Sequence, residues 1–238
     1  MIPLSDDNPT RRMPVISVTL IIACIAVFAY QFLQSNGSDP SFTASCGFIP
    51  YEFLTGKDLP PFSCVTPVQA TILTSMFMHG GFLHLGGNML YLWIFGNNIE
   101  DTLGRRRFAV FYVVCGLAAA LTQTALTLFT APEEIGIPMV GASGAIAGVL
   151  GAYLVRYPTA RVRTLVTFGF YWRTIQLPAF LVLGGWFVLQ FFQGVASLGG
   201  GSTGGVAVWA HIGGFVAGLL LITPLVPRRQ LGSGGCRW

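Results

Sequence analysis

The stretch HGGFLHLGGNMLYLWIFGN, residues 79–97, decides how this chain must be read. From Phe82 it is apolar on nearly every side of a helix, and such a helix needs a protein core or a bilayer around it. Composition chooses between the two: of 238 residues, 53% are hydrophobic and 9% charged, with a mean hydropathy of +0.66. A soluble domain carries roughly a quarter charged residues. These values exclude a soluble globular domain, a disordered chain, a coiled coil and a nucleic-acid binder, each of which needs far more charge in runs or stripes. An integral membrane protein remains.

Working outward, apolar runs long enough to cross a bilayer fall at residues 14–34, 82–99, 108–130, 140–155, 177–198 and 204–226. They predict an all-α bundle of six transmembrane helices in one domain, 14–226, between a segment 1–13 and a tail 227–238. The first run follows a segment that is acidic as well as basic and lacks a small-residue cleavage site, so it is read as a retained span. Twelve of the thirteen Lys and Arg residues lie in alternate connections, Lys57 being the exception, which predicts that both termini are cytoplasmic. The outer connections hold Asp39, Glu52, Asp58, Glu133 and Glu134, and the outer loop 35–81 is long enough to be expected to have a structure of its own. Residues 165–172 are apolar but too short to span and are expected in the cytoplasmic interface. The glycine run 198–205 reads as a flexible link.

Polar side chains are costly in hydrocarbon, so the few found there are the default candidates for a site. His84 and Asn88, four residues apart, share a helix face just after His79. Ser143 is expected about one turn into the fourth run and His211 about two turns into the sixth. Runs two, four and six all travel from outside to inside, and each carries its polar residues near its start. A rise of ~1.5 Å per residue then puts them in one layer, roughly 5 to 12 Å below the outer surface. A serine hydroxyl becomes a nucleophile when a neutral histidine takes its proton, and His211 can serve Ser143. The oxyanion of the tetrahedral intermediate needs donors, which His84, Asn88 and the backbone N–H of Ser143 can supply. Glycines at spacings of three and four, including Gly141, Gly144, Gly148, Gly151, Gly213, Gly214 and Gly218, would let runs four and six approach closely. With no carboxylate inside these runs, a Ser–His dyad is the economical reading.

This constellation resembles the rhomboid intramembrane serine proteases. The stretch HGGFLHLGGN carries the spacing of His79, His84 and Asn88; GASG, residues 141–144, looks like the nucleophile motif; AHIGGFVAG, residues 210–218, looks like the histidine motif. The resemblance runs from MIPLSDDNPTRR through FGNNIEDTLG to the sixth run. It implies a six-helix core, hydrolysis by Ser143 and His211, no metal or organic cofactor, and membrane-anchored helices as substrates at a plasma membrane, with the site open to the non-cytoplasmic side. It makes Glu100 and Gly104 a structural turn and gives His79 a part in hydrating and shaping the site. Where some members place a tyrosine that stacks on the base histidine, this chain has Ala147, so support for the His211 ring must come from elsewhere.

Two other classes fit parts of the pattern. A proteolytically inactive relative that binds membrane clients would typically lack Ser143 or His211. A zinc site or transporter built on His79, His84 and His211 would want a nearby carboxylate or a base for bound water, and none is visible. Of the five cysteines, Cys46 and Cys64 share the outer loop and are expected to pair if that side is oxidising.

Overall fold

The computed structural model describes residues 1–34, 41–59, 66–168, 171–198 and 207–227. Cys64, the glycine run from 199 and the tail beyond 227 lie outside these residues.

Strand β1 (Ile2–Asp6) leads into helix α1 (Val15–Gln34), and the described residues of the stretch 35–81 hold three short helices, α2 (Ser41–Cys46), α3 (Pro50–Thr55) and α4 (Val68–Thr74). Next come α5 (Phe82–Tyr91), a π-helical turn (Leu92–Gly96) and α6 (Asn97–Leu103), helical throughout. They are followed by α7 (Arg105–Thr130), α8 (Ser143–Arg156), strands β2 (Arg161–Phe168) and β3 (Tyr171–Pro178), α9 (Ala179–Leu198) and α10 (Val208–Leu225). Four of these helices, α1, α7, α9 and α10, are long and apolar enough to cross a membrane. The other two predicted runs are helical but different in kind: one contains the π turn, and α8 is 14 residues long.

The burial pattern is that of a protein solvated by lipid. Ile22, Leu33, Val110, Phe129, Leu189, Phe192 and Leu220 stand exposed on the long helices. The most buried helix is α8, in which every residue from Gly144 to Tyr153 is buried. Glycines make this possible. A Cβ on Gly214 would fall on the carbonyl of Gly144, and one on Gly218 on the carbonyl of Gly148, so α8 and α10 meet backbone to backbone. From the other side α7 presses Ala119 against Gly144 and Cys115 against Gly148.

The expectation of an all-α chain fails at one end of the bundle, where β1, β2 and β3 form an antiparallel sheet in that order. Residues 165–172, expected to lie flat in the interface, belong to this hairpin. The strand RVRTLVTF alternates, with Val162, Thr164 and Val166 buried between more exposed neighbours. A search for long apolar runs passes over that period of two. Asp6 Oδ2 accepts from Tyr153 Oη at 2.6 Å and from Asn98 Nδ2 at 2.8 Å, tying the sheet to α8 and α6. Glu100, buried as a structural turn requires, accepts from the amides of Ile16 and Ser17 at 2.9 and 2.8 Å and so caps α1, while Gly104 turns the chain into α7 at φ 78°.

The described connections on either side of α7 and α8 gather at two ends. The segment 1–13, the turn at 100–105 and the β2–β3 hairpin share one end, joined by Arg11 N to Asp101 Oδ2 at 3.0 Å and Arg161 N to Asp7 Oδ1 at 2.8 Å. At the other end Phe48 pairs with Met139, and Gly141 N donates to Ser75 O at 3.0 Å, so the stretch between α1 and α5 is laced to the segment before α8. Cys46 is disulfide-bonded, while Cys24 and Cys115 are buried free thiols.

Candidate functional site

Ser143 is the first residue of α8 rather than one turn inside it, and His211 lies one turn into α10 rather than two. Hydropathy overcounted both runs at their starts. Gly141, at φ 126°, holds the chain out of helical geometry just before Ser143, and α10 begins only at Val208. The shift changes the chemistry available. At a helix start the first N–H groups have no intrahelical acceptor and the backbone dipole favours negative charge. Among the described residues nothing takes the N–H of Ser143, and no side chain caps α8.

Ser143 Oγ and His211 Nε2 lie 2.8 Å apart, brought together by the glycine contact of α8 with α10. Gln123 of α7 steadies the start of α10 by accepting from Ala210 N at 3.2 Å. His84 and Asn88 project from α5 beside Gly141. A Cβ there would lie 2.8 Å from the His84 ring and 3.7 Å from Asn88 Nδ2, so glycine is required both by φ and by this approach. Asn88 Nδ2 is buried and has no partner among the described residues, a donor with its hydrogen bond still to make.

His79 is buried, and its ring meets that of His84 edge-on at 5.2 Å. Its backbone is clamped from α1, where Gln31 Oε1 accepts from His79 N at 3.1 Å and Gln31 Nε2 donates to His79 O at 3.4 Å. His79 Nδ1 also lies 3.3 Å from Phe77 O, so the ring is held between that carbonyl and His84.

Ala147 is buried and leaves the imidazole unsupported from α8, and the support comes from α9 instead. The Trp186 ring lies 5.8 Å from that of His211, tilted by 41°, and Gln190 Nε2 is the atom hydrogen-bonded to His211 Nδ1. Sequence reasoning missed Gln31, Trp186 and Gln190. For the two glutamines the signal was present: each is an uncharged polar side chain in the middle of an apolar run, the same anomaly that exposed the histidines. Among the described residues no group of three His, Cys, Asp or Glu side chains is placed to hold a metal ion.

The sequence profile of the rhomboid domain matches residues 68–228, which contain α4 to α10 and with them His79, His84, Asn88, Ser143, Trp186, Gln190 and His211. The chain belongs to the rhomboid family. Similar relatives include Rhomboid protein 1, mitochondrial, of Saccharomyces cerevisiae, 33% identical over 155 residues that cover 64% of this chain and 40% of the yeast protein. RHOMBOID-like protein 5 of Arabidopsis thaliana is 32% identical over 161 residues, 68% of this chain and 45% of the plant protein. Rhomboid protease GluP of Bacillus subtilis is 34% identical over 98 residues, 41% of this chain and 18% of that protein. The chain thus spans less than half the length of each of these relatives. As a rhomboid with four helices fit to cross a bilayer, it is an integral membrane protein.

Proposed function

We propose that this rhomboid is an intramembrane serine endopeptidase that cuts peptide bonds in or near the transmembrane helices of single-span proteins. The observation that carries the reading is the 2.8 Å contact between Ser143 Oγ and His211 Nε2 across two helices locked by glycine. As Oγ attacks the substrate carbonyl carbon, its proton passes to Nε2. The oxyanion is met by the Ser143 N–H, Asn88 Nδ2 and His84, each such donor contributing roughly 10²- to 10³-fold in rate. Collapse breaks the C–N bond as Nε2–H protonates the leaving nitrogen, giving an acyl-serine and a free amine. A water molecule, deprotonated by His211, then attacks the ester and releases the acid and Ser143.

The length of α8 supports a site below the outer surface. Its 14 residues rise about 21 Å, some 9 Å less than a hydrocarbon core of ~30 Å. With six spans, cytoplasmic termini and the arginine-rich connections at the inner face, Ser143 sits in a recess that opens outward. A substrate helix must unwind to expose a peptide bond there, which favours Gly, Pro or polar residues and small side chains before the cut. Helix α9, with most of its surface toward lipid, is the natural entrance. No metal or organic cofactor is required. The host membrane is proposed as a plasma membrane; among the relatives the yeast protein is named as mitochondrial and the Bacillus protein is not.

The test is cleavage of a single-span protein with a Gly-Ala-rich outer juxtamembrane segment in liposomes, followed by mass spectrometry. Ser143→Ala is expected to lower the rate by roughly 10⁴-fold or more while the melting temperature holds, and a serine-reactive phosphonate should label the wild type at Ser143 alone. Equal cleavage by wild type and variant would exclude Ser143 as the nucleophile.

A further inference from the structure

A base histidine must present a lone pair at Nε2, so its proton must sit on Nδ1, and the partner of Nδ1 decides whether it does. In serine hydrolases built as triads a carboxylate fills that place. Among the described residues no carboxylate does: the side chains in hydrogen-bond or ring contact with His211 are Ser143, Trp186 and Gln190.

We propose that Gln190 is the positioning residue that sets the proton on His211, its amide oxygen accepting Nδ1–H so that Nε2 faces Ser143 as an acceptor. This rests on the reading of Ser143 and His211 as the reacting pair. A side-chain amide offers an oxygen and a nitrogen in nearly the same shape. With the nitrogen toward His211, as the atoms stand in the structure, Nδ1 is the acceptor, Nε2 carries the proton, and the serine cannot be deprotonated until the amide turns. A half-turn of the amide reverses every donor in the chain from Gln190 through His211 to Ser143 without moving a helix. Once His211 has taken the serine proton, only the oxygen can face Nδ1–H, so the amide oxygen stabilises the imidazolium formed during attack.

The placement of Gln190 is specific. It is one of five buried residues of α9, 8% exposed in a helix that otherwise looks mostly to lipid. Phe187 stacks on Phe215 at 4.5 Å and Gly194 abuts Trp209 and Ile212, so positions 187, 190 and 194 form one face laid along α10 with the amide at the level of the imidazole. A buried amide on such a face is costly unless its bonds are made.

The test uses the full chain in micelles with ¹⁵N-labelled histidine, His211 being assigned by the loss of its signal in His211→Asn. The wild type is expected to carry its proton on Nδ1, and Gln190→Leu, close in size but unable to accept, is expected to shift His211 toward the other tautomer. This readout does not depend on proteolysis and therefore stands or falls separately from the proposed activity. A proton on Nε2 in the wild type, or an unchanged tautomer in Gln190→Leu, overturns the assignment. In the cleavage assay Gln190→Leu should lower kcat roughly 10- to 100-fold with KM nearly constant. Gln190→Glu, whose carboxylate still accepts Nδ1–H, should restore kcat and move the acid limb of the pH profile to higher pH. Full activity in Gln190→Leu with an unmoved profile would mean that the residue only packs.

Discussion

Helix α10 has two seams, built on different principles. Against α8 it is joined by glycines, with carbonyl oxygens where side chains would otherwise stand. Against α9 it is joined by side chains: Trp186 and Phe187 meet Phe215, Gln190 meets His211, and Trp209 and Ile212 cover Gly194. A backbone seam has no rotamers to yield, so it fixes distances; a side-chain seam can open and close through rotamer changes. The Ser143–His211 pair spans the first, and the groups that steady the imidazole reach across the second. The separation that the proposed reaction needs is thus rigid, while the support lies across the seam that can yield.

The strongest way to break this comparison is Gly218→Ala. Its methyl group would land on the Gly148 carbonyl, two turns inward from His211, where nothing can rotate aside. Overpacking of this kind costs about 1–3 kcal/mol or more, and here it forces α8 and α10 apart. Thermal unfolding in detergent should drop clearly and cleavage should be lost with it. If the variant keeps both, the backbone seam is not what holds the pair together.

A smaller effect is expected across the other seam. Trp186→Ala removes an aromatic contact of ~0.5–1.5 kcal/mol, and acyl chains can fill part of the gap. Melting should change little while kcat falls several-fold. A loss of stability as large as that of Gly218→Ala would show that the two seams are mechanically alike.

The smallest effect lies at the far end, where β1 docks. Burial raises the Asp6 carboxyl above its ordinary value of 3.8, against the hydrogen bonds from Tyr153 and Asn98. The folded state therefore holds the proton more tightly than the unfolded chain, and docking weakens as pH climbs from the ordinary carboxylate range through the raised value. Hydrogen-exchange protection of β1 should decline over that interval, and Asp6→Asn, whose oxygen can still accept from both donors, should remove the decline. An identical profile in the variant would rule out Asp6 as its source.

Much of this was legible in the sequence, for reasons that can be named. Hydropathy finds α1, α7, α9 and α10 because a lipid-facing helix must be apolar along its whole length. Polarity inside the apolar stretches that become α5, α8 and α10 finds His84, Asn88, Ser143 and His211, because an unpaired polar group is costly there. The same methods misjudged where α8 and α10 begin, since hydropathy is blind to the φ of Gly141. They missed the sheet because its strands are short and half polar, and passed over Gln31 and Gln190 because amides look bland beside histidines.

By itself, then, the sequence determined that the chain lives in a bilayer, which stretches form its long apolar helices, and which residue types could carry acyl-transfer chemistry. Composition and spacing are local properties, and the solvent reads them locally. Tertiary structure alone decided that the 14-residue α8 is the most buried helix, that its N-terminus carries Ser143, and that α9 supplies the support which Ala147 lacks. Those facts depend on which surfaces meet, and that choice follows from where glycine lets two backbones touch.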